Sequence, residues 1–390
     1  MMIPNDGKQQ KPEKAEMPVL STLYFYLTEG CNLACRHCWM EPRFDPTGTR
    51  YPVLPVELFE TAIREAKPLG LRGVKLTGGE PLLHPHFKHL LEIVRREELK
   101  LTIETNGQLC TPEIAGEIAK SSNRFVAVSI DGVDAATHEW VRGVPGSFAA
   151  AQQAVRNLAA ASTQPQVIFS VLRRNAGQVN TMVRMAEELG AASLKFNVVQ
   201  PTARGESLHE NQETLNIAEL IALGRHVEEE LAPQTRLKVF FHFPPAFRSL
   251  RRITSVKECG ACGIIGIMGV IARGHFALCG IGEQVPDLTF GMVGKDKLEE
   301  IWRENSVLKA LREGLPKWLE GVCGRCLMKE SCLGLCVAQN YYSKGSLWAP
   351  YWFCEQAEAA GLFPASRLGT MSSQSPVISS GNAVDDASGG

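Results

Sequence analysis

The chain has 390 residues, 44% hydrophobic and 21% charged, and 41 basic against 42 acidic side chains leave a net charge of −1. At about 150 residues per domain there is room for two or three domains, and the near-neutral balance gives no global reason to expect a nucleic-acid partner. No apolar run approaches the roughly 18 residues of a membrane span, and residues 1–17 lack the apolar stretch of a secretory signal, so a soluble, cytoplasmic protein is expected.

In chain order, residues 1–17 are polar and expected to be disordered. From residue 18 to 235, strand-like and helix-like runs alternate. The strand-like runs are TLYFYLT, GVKLT (73–77), KLTIET (100–105), FVAVSID (125–131), QVIFSVL (166–172) and SLKFNVV (193–199). Between them VELFETAIREAKPLG, FKHLLEIVRREE, EIAGEIAKSS, AAAQQAVRNLAAA and VNTMVRMAEELG carry apolar residues at three- and four-residue spacing, the helical period. Six alternations imply a parallel α/β sheet with right-handed crossovers, and an open doubly wound sheet or a partial barrel fits the pattern equally well. In either, ligands sit at the C-terminal ends of the strands. A charged helix at 213–232 and a strand, RLKVFFHF (236–243), lead into a cysteine-rich region assigned to 236–364. Residues 365–390 are rich in Ser and Gly and are expected to be a disordered tail.

The twelve cysteines set this chain apart. Without a secretion signal a disulfide framework is not expected, and clustered thiols point to metal or redox chemistry. The first group, Cys31-Asn-Leu-Ala-Cys35-Arg-His-Cys38, follows the first strand. Three thiolates are an odd number for structural zinc, for which His37 would be a fourth ligand on paper although its neighbour Cys38 restrains it. They suit a 4Fe–4S cluster with one open iron. Cys110 is lone and reads as a small buried residue. The remaining eight are Cys259, Cys262, Cys279, Cys323, Cys326, Cys332, Cys336 and Cys354. By spacing alone they could hold two zinc ions or two cubane clusters.

The N-terminal run resembles the signature of the radical S-adenosylmethionine (SAM) superfamily, with His37 standing where many members have an aromatic residue. The resemblance implies a partial (β/α)6 TIM-type barrel. It also implies that the open iron is chelated by the methionine end of SAM, so that reductive cleavage leaves a 5′-deoxyadenosyl radical. Gly78-Gly79-Glu80-Pro81 resembles the motif that binds the aminopropyl group, with Glu80 receiving the ammonium. Taken as a bare tetrapeptide, it reads as a turn. By the same resemblance Ser129 and Arg142 contact the cofactor and Leu172 packs on adenine, against the plain readings of strand cap, surface arginine and core residue. The segment from Asn197 through Gln200 to Arg204 resembles one that lines the substrate side.

The C-terminal cysteines resemble the SPASM domain of radical enzymes: C-x(9–15)-G-x4-C, a gap, C-x2-C-x5-C-x3-C, a gap and a last Cys, with Gly274 at the glycine. The resemblance implies two auxiliary 4Fe–4S clusters, one on Cys259, Cys262, Cys279 and Cys336, the other on Cys323, Cys326, Cys332 and Cys354. The implied activity is modification of a ribosomally made peptide by crosslink, thioether or epimerisation, with the finer likeness to maturases of SynChlorMet-like cassettes. A low-potential donor such as a flavodoxin or ferredoxin and a separate leader-binding protein are the implied partners. Three other readings stay open: formylglycine formation as in anaerobic sulfatase maturases, tetrapyrrole or other cofactor biosynthesis, and a zinc-stabilised scaffold without catalysis. Gly280 counts against the first, because those maturases generally carry an aspartate after the cysteine matching Cys279.

Overall fold

A computed structural model describes residues 18–255 and 262–369. The termini expected to be disordered, 1–17 and 370–390, and Cys259 lie outside the described residues. Residues 365–369 do not belong to a disordered tail: they turn back and pair with the C-terminal region, Leu368 bridging Cys326 and the Gly369 amide donating to the Arg325 carbonyl at 2.9 Å.

The six strand-like runs form β1 (Thr22–Tyr26), β2 (Gly73–Thr77), β3 (Lys100–Thr105), β4 (Arg124–Ser129), β5 (Gln166–Val171) and β6 (Ser193–Val198), parallel and side by side in chain order. Strand order decides between the two folds left open by the pattern. A doubly wound sheet reverses direction partway, whereas these strands advance without a switch, as in a barrel. The joining strand β7 (Lys238–His242) adds a seventh parallel strand, Lys238 opposite Ser193 and His242 opposite Asn197, so the sheet continues past residue 235. At the other edge β8 (Ile267–Val270) runs parallel to β1, and β9 (His275–Ala277) and β10 (Thr289–Met292) extend it antiparallel. With β7 and β10 at opposite edges the barrel stays open.

The crossover helices are α1 (Val56–Ala66), α2 (Phe87–Arg96), α3 (Pro112–Ala119), α4 (Ala135–Arg142), α5 (Ser147–Ala160) and α6 (Val179–Glu188). α1 buries Phe59, Ala62, Ile63 and Ala66, the stripe that a 3.6-residue period places on one face. α4 lies where the sequence shows only a motif. Asp134 caps it by accepting from the Thr137 amide at 2.8 Å, and Gly143, at φ 75°, ends it. Gly143 packs so close to the Ala34 carbonyl that an added Cβ would sit 2.6 Å from it, which ties the end of α4 to the cysteine loop.

Buried parallel strands usually read as continuous apolar runs. Here buried Leu23, Phe25, Val74, Leu76, Ile103, Leu194 and Phe196 alternate with Tyr24, Lys75, Glu104 and Lys195. Alternate side chains point to opposite faces, so the apolar set packs under the helices and the polar set faces the barrel interior. There Lys75 pairs with Glu104 at 2.8 Å and lies over the Tyr24 ring. The C-terminal region of short helices is tied back to the barrel: Gln200 Oε1 accepts from both Tyr351 Oη and Trp352 Nε1 at 2.9 Å.

Candidate active site

Loop 27–55 leaves the C-terminal end of β1 and carries Cys31, Cys35 and Cys38. Its shape is set from three sides. The amides of Ala34 and Arg36 donate to the Arg142 and Val141 carbonyls at the end of α4 (3.1 and 2.9 Å). Arg204 reaches across from the loop after β6 to donate to the Cys35 and Pro42 carbonyls (3.3 and 2.7 Å). The turn after β2 braces the base, the Gly79 amide donating to the Thr28 carbonyl at 3.0 Å and the Glu80 amide to the Gly30 carbonyl at 3.2 Å. Gly79 has a specific reason to be glycine: a Cβ there would lie 1.9 Å from the Gly30 oxygen.

The three thiols line one cavity of about 130 Å³ together with Gly78, Gly79, Glu80, Glu104, Asn106, Ser129 and Arg142. Residues up to 111 positions apart in sequence thus meet at the C-terminal ends of β1 to β4. The sulfurs are already provided with donors. Cys31 Sγ accepts from the Leu33 amide (3.4 Å) and faces Asn106 Nδ2 (3.8 Å), and Cys35 Sγ faces Arg142 Nη1 (3.6 Å). Burial pushes the Cys35 thiol up to about 11 in spite of Arg142, and pushes Cys31 and Cys38 up as well. The metal-free chain therefore holds thiols here, and loading a cluster must displace their protons. Three thiols lining one cavity, two of them facing side-chain donors, have the donor chemistry of a 4Fe–4S site with one open iron.

Glu80 is buried, and its carboxylate is largely committed within the protein. Oε1 accepts from the Leu82 amide and Thr105 Oγ1 (3.0 and 2.6 Å), and Oε2 accepts from the Asn106 amide (2.8 Å). Burial pushes its carboxyl up to about 7 against the pull of those donors. It locks the turn after β2 to the turn after β3 as well as lining the cavity. Arg142 Nε contacts Asp131 Oδ2 at 2.5 Å without hydrogen-bond alignment, and His37 Nε2 stands 3.9 Å from the same oxygen. Asp131 Oδ1 accepts from the Ser170 amide at 2.6 Å. Burial raises the Asp131 carboxyl, but Arg142, His37 and that amide outweigh it and hold it below the usual range. Asp131 escaped the sequence reading, although it stands two residues from Ser129. His37 faces this acid and not the space between the thiols. Leu172 does not line the cavity: it is fully buried with Val141, Val199 and Leu208. Cys110 is buried in the main core.

The C-terminal thiols gather in two places. Burial raises the pKa of Cys262, Cys279 and Cys336, taking Cys262 to about 12, and Cys336 adds to the rise at both Cys262 and Cys279. Cys323, Cys326, Cys332 and Cys354 surround a void of about 10 Å³. Cys323 and Cys354 share a hydrogen bond that lowers the first and raises the second. Cys336 thus stands with Cys262 and Cys279, although in sequence it follows Cys332.

An open parallel barrel with a three-cysteine loop on its first strand defines a class, and residues 25–177 match the family model of the Radical SAM superfamily. Residues 25–177 are thus similar to radical SAM domains, and a solved structure of Streptococcus suis SuiB with the same fold is bound to S-adenosylmethionine. Mycofactocin maturase MftC of Mycobacterium ulcerans is 29% identical over 346 residues, 87% of this chain and 88% of that one. AdoMet-dependent heme synthase of Methanosarcina barkeri is 28% identical over 82% of this chain and 91% of its own. Among solved structures, Streptococcus suis SuiB bound to the precursor peptide SuiA shares the fold with a TM-score of 0.67 at 17% identity, over 87% of this chain and 76% of that one. Among the described residues no helix is long and apolar enough to cross a membrane.

Proposed function

We propose that the chain is a SPASM-type radical SAM maturase that abstracts hydrogen from a ribosomally made peptide and leaves a crosslink, thioether or epimerised centre. The observation that carries this is the single cavity joining three thiols to Gly78-Gly79-Glu80, Ser129 and Arg142. Cluster and SAM together supply a 5′-deoxyadenosyl radical. Cys31, Cys35 and Cys38 would hold the cluster. The Gly78–Gly79 backbone and Glu80 would face the ammonium of SAM, Arg142 its carboxylate and Ser129 a sugar or carboxylate oxygen. Asp131 holds the Arg142 guanidinium in place. Cys259, Cys262, Cys279 and Cys336 would ligate one auxiliary cluster and Cys323, Cys326, Cys332 and Cys354 the other. The domain division at 235/236 then separates radical chemistry from cluster storage, with β7 belonging to the barrel sheet. A flavodoxin or ferredoxin would deliver electrons, and a separate protein could present the leader.

The maturase relative supports a peptide substrate, and the heme synthase relative keeps a tetrapyrrole as the second reading. Formylglycine formation by an aspartate after Cys279 is disfavoured on steric grounds, because a Cβ at Gly280 would lie 2.3 Å from the Tyr26 ring and 2.5 Å from Met40 Sδ. The test is anaerobic reconstitution, dithionite and SAM, with 5′-deoxyadenosine measured alongside the masses of peptides encoded in short reading frames beside the gene. A mass change in one peptide supports the reading. No 5′-deoxyadenosine, or modification of a porphyrin and of no peptide, overturns it.

A further inference from the structure

A second, larger cavity of about 670 Å³ opens inside the barrel, lined on β3 to β7 and their N-terminal ends. Glu104 lines both this cavity and the one that holds the three thiols, so this residue stands between the two. Barrel interiors are normally filled by branched apolar residues. This one also carries charge: Arg124, Lys195, Lys238 and Arg248 share its lining with Glu104, the one carboxylate among the described lining residues.

Most of these charges are committed. Glu104 is paired with Lys75 at 2.8 Å. Arg124 donates to the Ser121 and Ser162 carbonyls, both at 2.8 Å. Arg248 lies 3.5 Å from Glu228 and donates to the Phe241 carbonyl at 3.1 Å. Lys195 makes no hydrogen bond or ion pair with the described residues. It stands mid-strand on β6, flanked in register by Ile168 and Phe240, so apolar walls lie on either side of its ammonium. Burial, helped by Lys75 and Arg248, outweighs the opposing pull of Glu104 and holds its pKa below the usual lysine value. Two residues further on the same face of β6, Asn197 Oδ1 is buried without a partner. The carboxylate nearest in influence to Lys195 is Glu104, and Glu104 is already paired with Lys75, so the ammonium still has hydrogen-bonding capacity to offer a ligand in the cavity.

We propose that Lys195 is the receptor for a carboxylate of the substrate, held in the barrel interior beside Glu104 so that the neighbouring atoms reach the radical. One lysine between apolar walls suits a monoanion. A phosphate would call on forked guanidinium groups, and here the arginines are engaged elsewhere. The inference deepens the peptide-maturase reading and rests on it. It narrows the substrate to one whose reacting segment carries an acidic side chain or the chain's own C-terminus.

The test uses the reconstituted holoenzyme with SAM and three isosteric probes in anaerobic calorimetry. N-acetylglutamate α-amide carries a side-chain carboxylate, N-acetylglutamine carries an α-carboxylate, and N-acetylglutamine amide carries none. At least one charged probe should bind about tenfold or more tighter than the neutral one, as expected for a hydrogen bond to a charged partner. The preferred charged probe identifies the source of the carboxylate. Lys195→Ala should abolish the preference and Lys195→Arg should retain it, with bound iron matching the parent in both as the check on folding. Equal binding of all three probes by the parent overturns the proposal, and so does a preference that survives Lys195→Ala. Production of 5′-deoxyadenosine by the parent is read separately. Its absence alongside a Lys195-dependent preference would remove the radical reading and leave the carboxylate site standing.

Discussion

At the scale of single residues, three side chains carry tests. The Gly79 backbone nests against Gly30, and a methyl group there would meet the Gly30 oxygen at 1.9 Å. Gly79→Ala must therefore push the turn away from the cysteine loop. Reconstituted iron should fall by about four of the roughly twelve expected for three cubanes, measured by iron and acid-labile sulfide analysis. Asp131 is fully buried and counters Arg142. Removing one member of a buried pair leaves an uncompensated charge, so Asp131→Asn should lose about 3–5 kcal/mol in urea unfolding and weaken SAM binding through the released arginine. Leu172 separates a core residue from a cofactor contact. It is fully buried with Val141, Val199 and Leu208 and lies off the cysteine-lined cavity. Leu172→Ala should cost about 2–5 kcal/mol of stability while the SAM dissociation constant, read by equilibrium dialysis, stays that of the parent. A large rise in that constant would return Leu172 to the adenine site.

At the scale of elements, the strands were legible because six of them begin or end within two residues of their alternating runs, and the helices because their apolar stripes keep a 3.6-residue period. α4 was not legible as a helix. It has only 8 residues, and its identity rests on the Asp134 cap and the Gly143 stop, signals hidden inside a segment whose Arg142 drew attention as a motif. Ser129 and Arg142 could be picked out from the motif, but Asp131, which holds Arg142, gave no signal of its own because the pairing depends on α4 folding back over β4. Lys195 was hidden for a related reason: in SLKFNVV it looks like an ordinary strand residue, and only the curvature of the sheet shows that its side chain lines an interior cavity. The segment after β6 shows how an element joins two regions. Gln200 Oε1 accepts from Tyr351 and Trp352 while Arg204 clasps the cysteine loop. Gln200→Leu should strand both buried donors at about 1–3 kcal/mol apiece, and should speed limited proteolysis after β10 more than within the barrel.

At the scale of the whole molecule, the sulfur atoms divide in space as their burial and mutual influence indicate. Cys31, Cys35 and Cys38 form one set, Cys262, Cys279 and Cys336 a second, and Cys323, Cys326, Cys332 and Cys354 a third. Most of the last two sets lie in a region of short helices of 4 to 8 residues, Gly321–Arg325, Lys329–Cys332, Val337–Lys344 and Trp352–Ala359. Helices of that length are marginal without tertiary support. Metal binding would then be part of this region's folding energy, while the barrel strands and their crossover helices supply most of the shared apolar core and lean less on the metal. Two variants separate the sets. Cys354→Ala and Cys262→Ala should each lower bound iron by about four of roughly twelve, and the double variant by about eight, if they belong to different clusters. If they served one cluster, the double variant would lose no more than either single one. Chelation of the reconstituted enzyme carries the same logic to folding. Stripping iron should expose sites between residues 321 and 359 to protease while fragments spanning 18–242 persist, because the thiols, pushed up by burial at Cys332 and by the Cys323 hydrogen bond and burial at Cys354, re-protonate and leave the short helices with nothing to span.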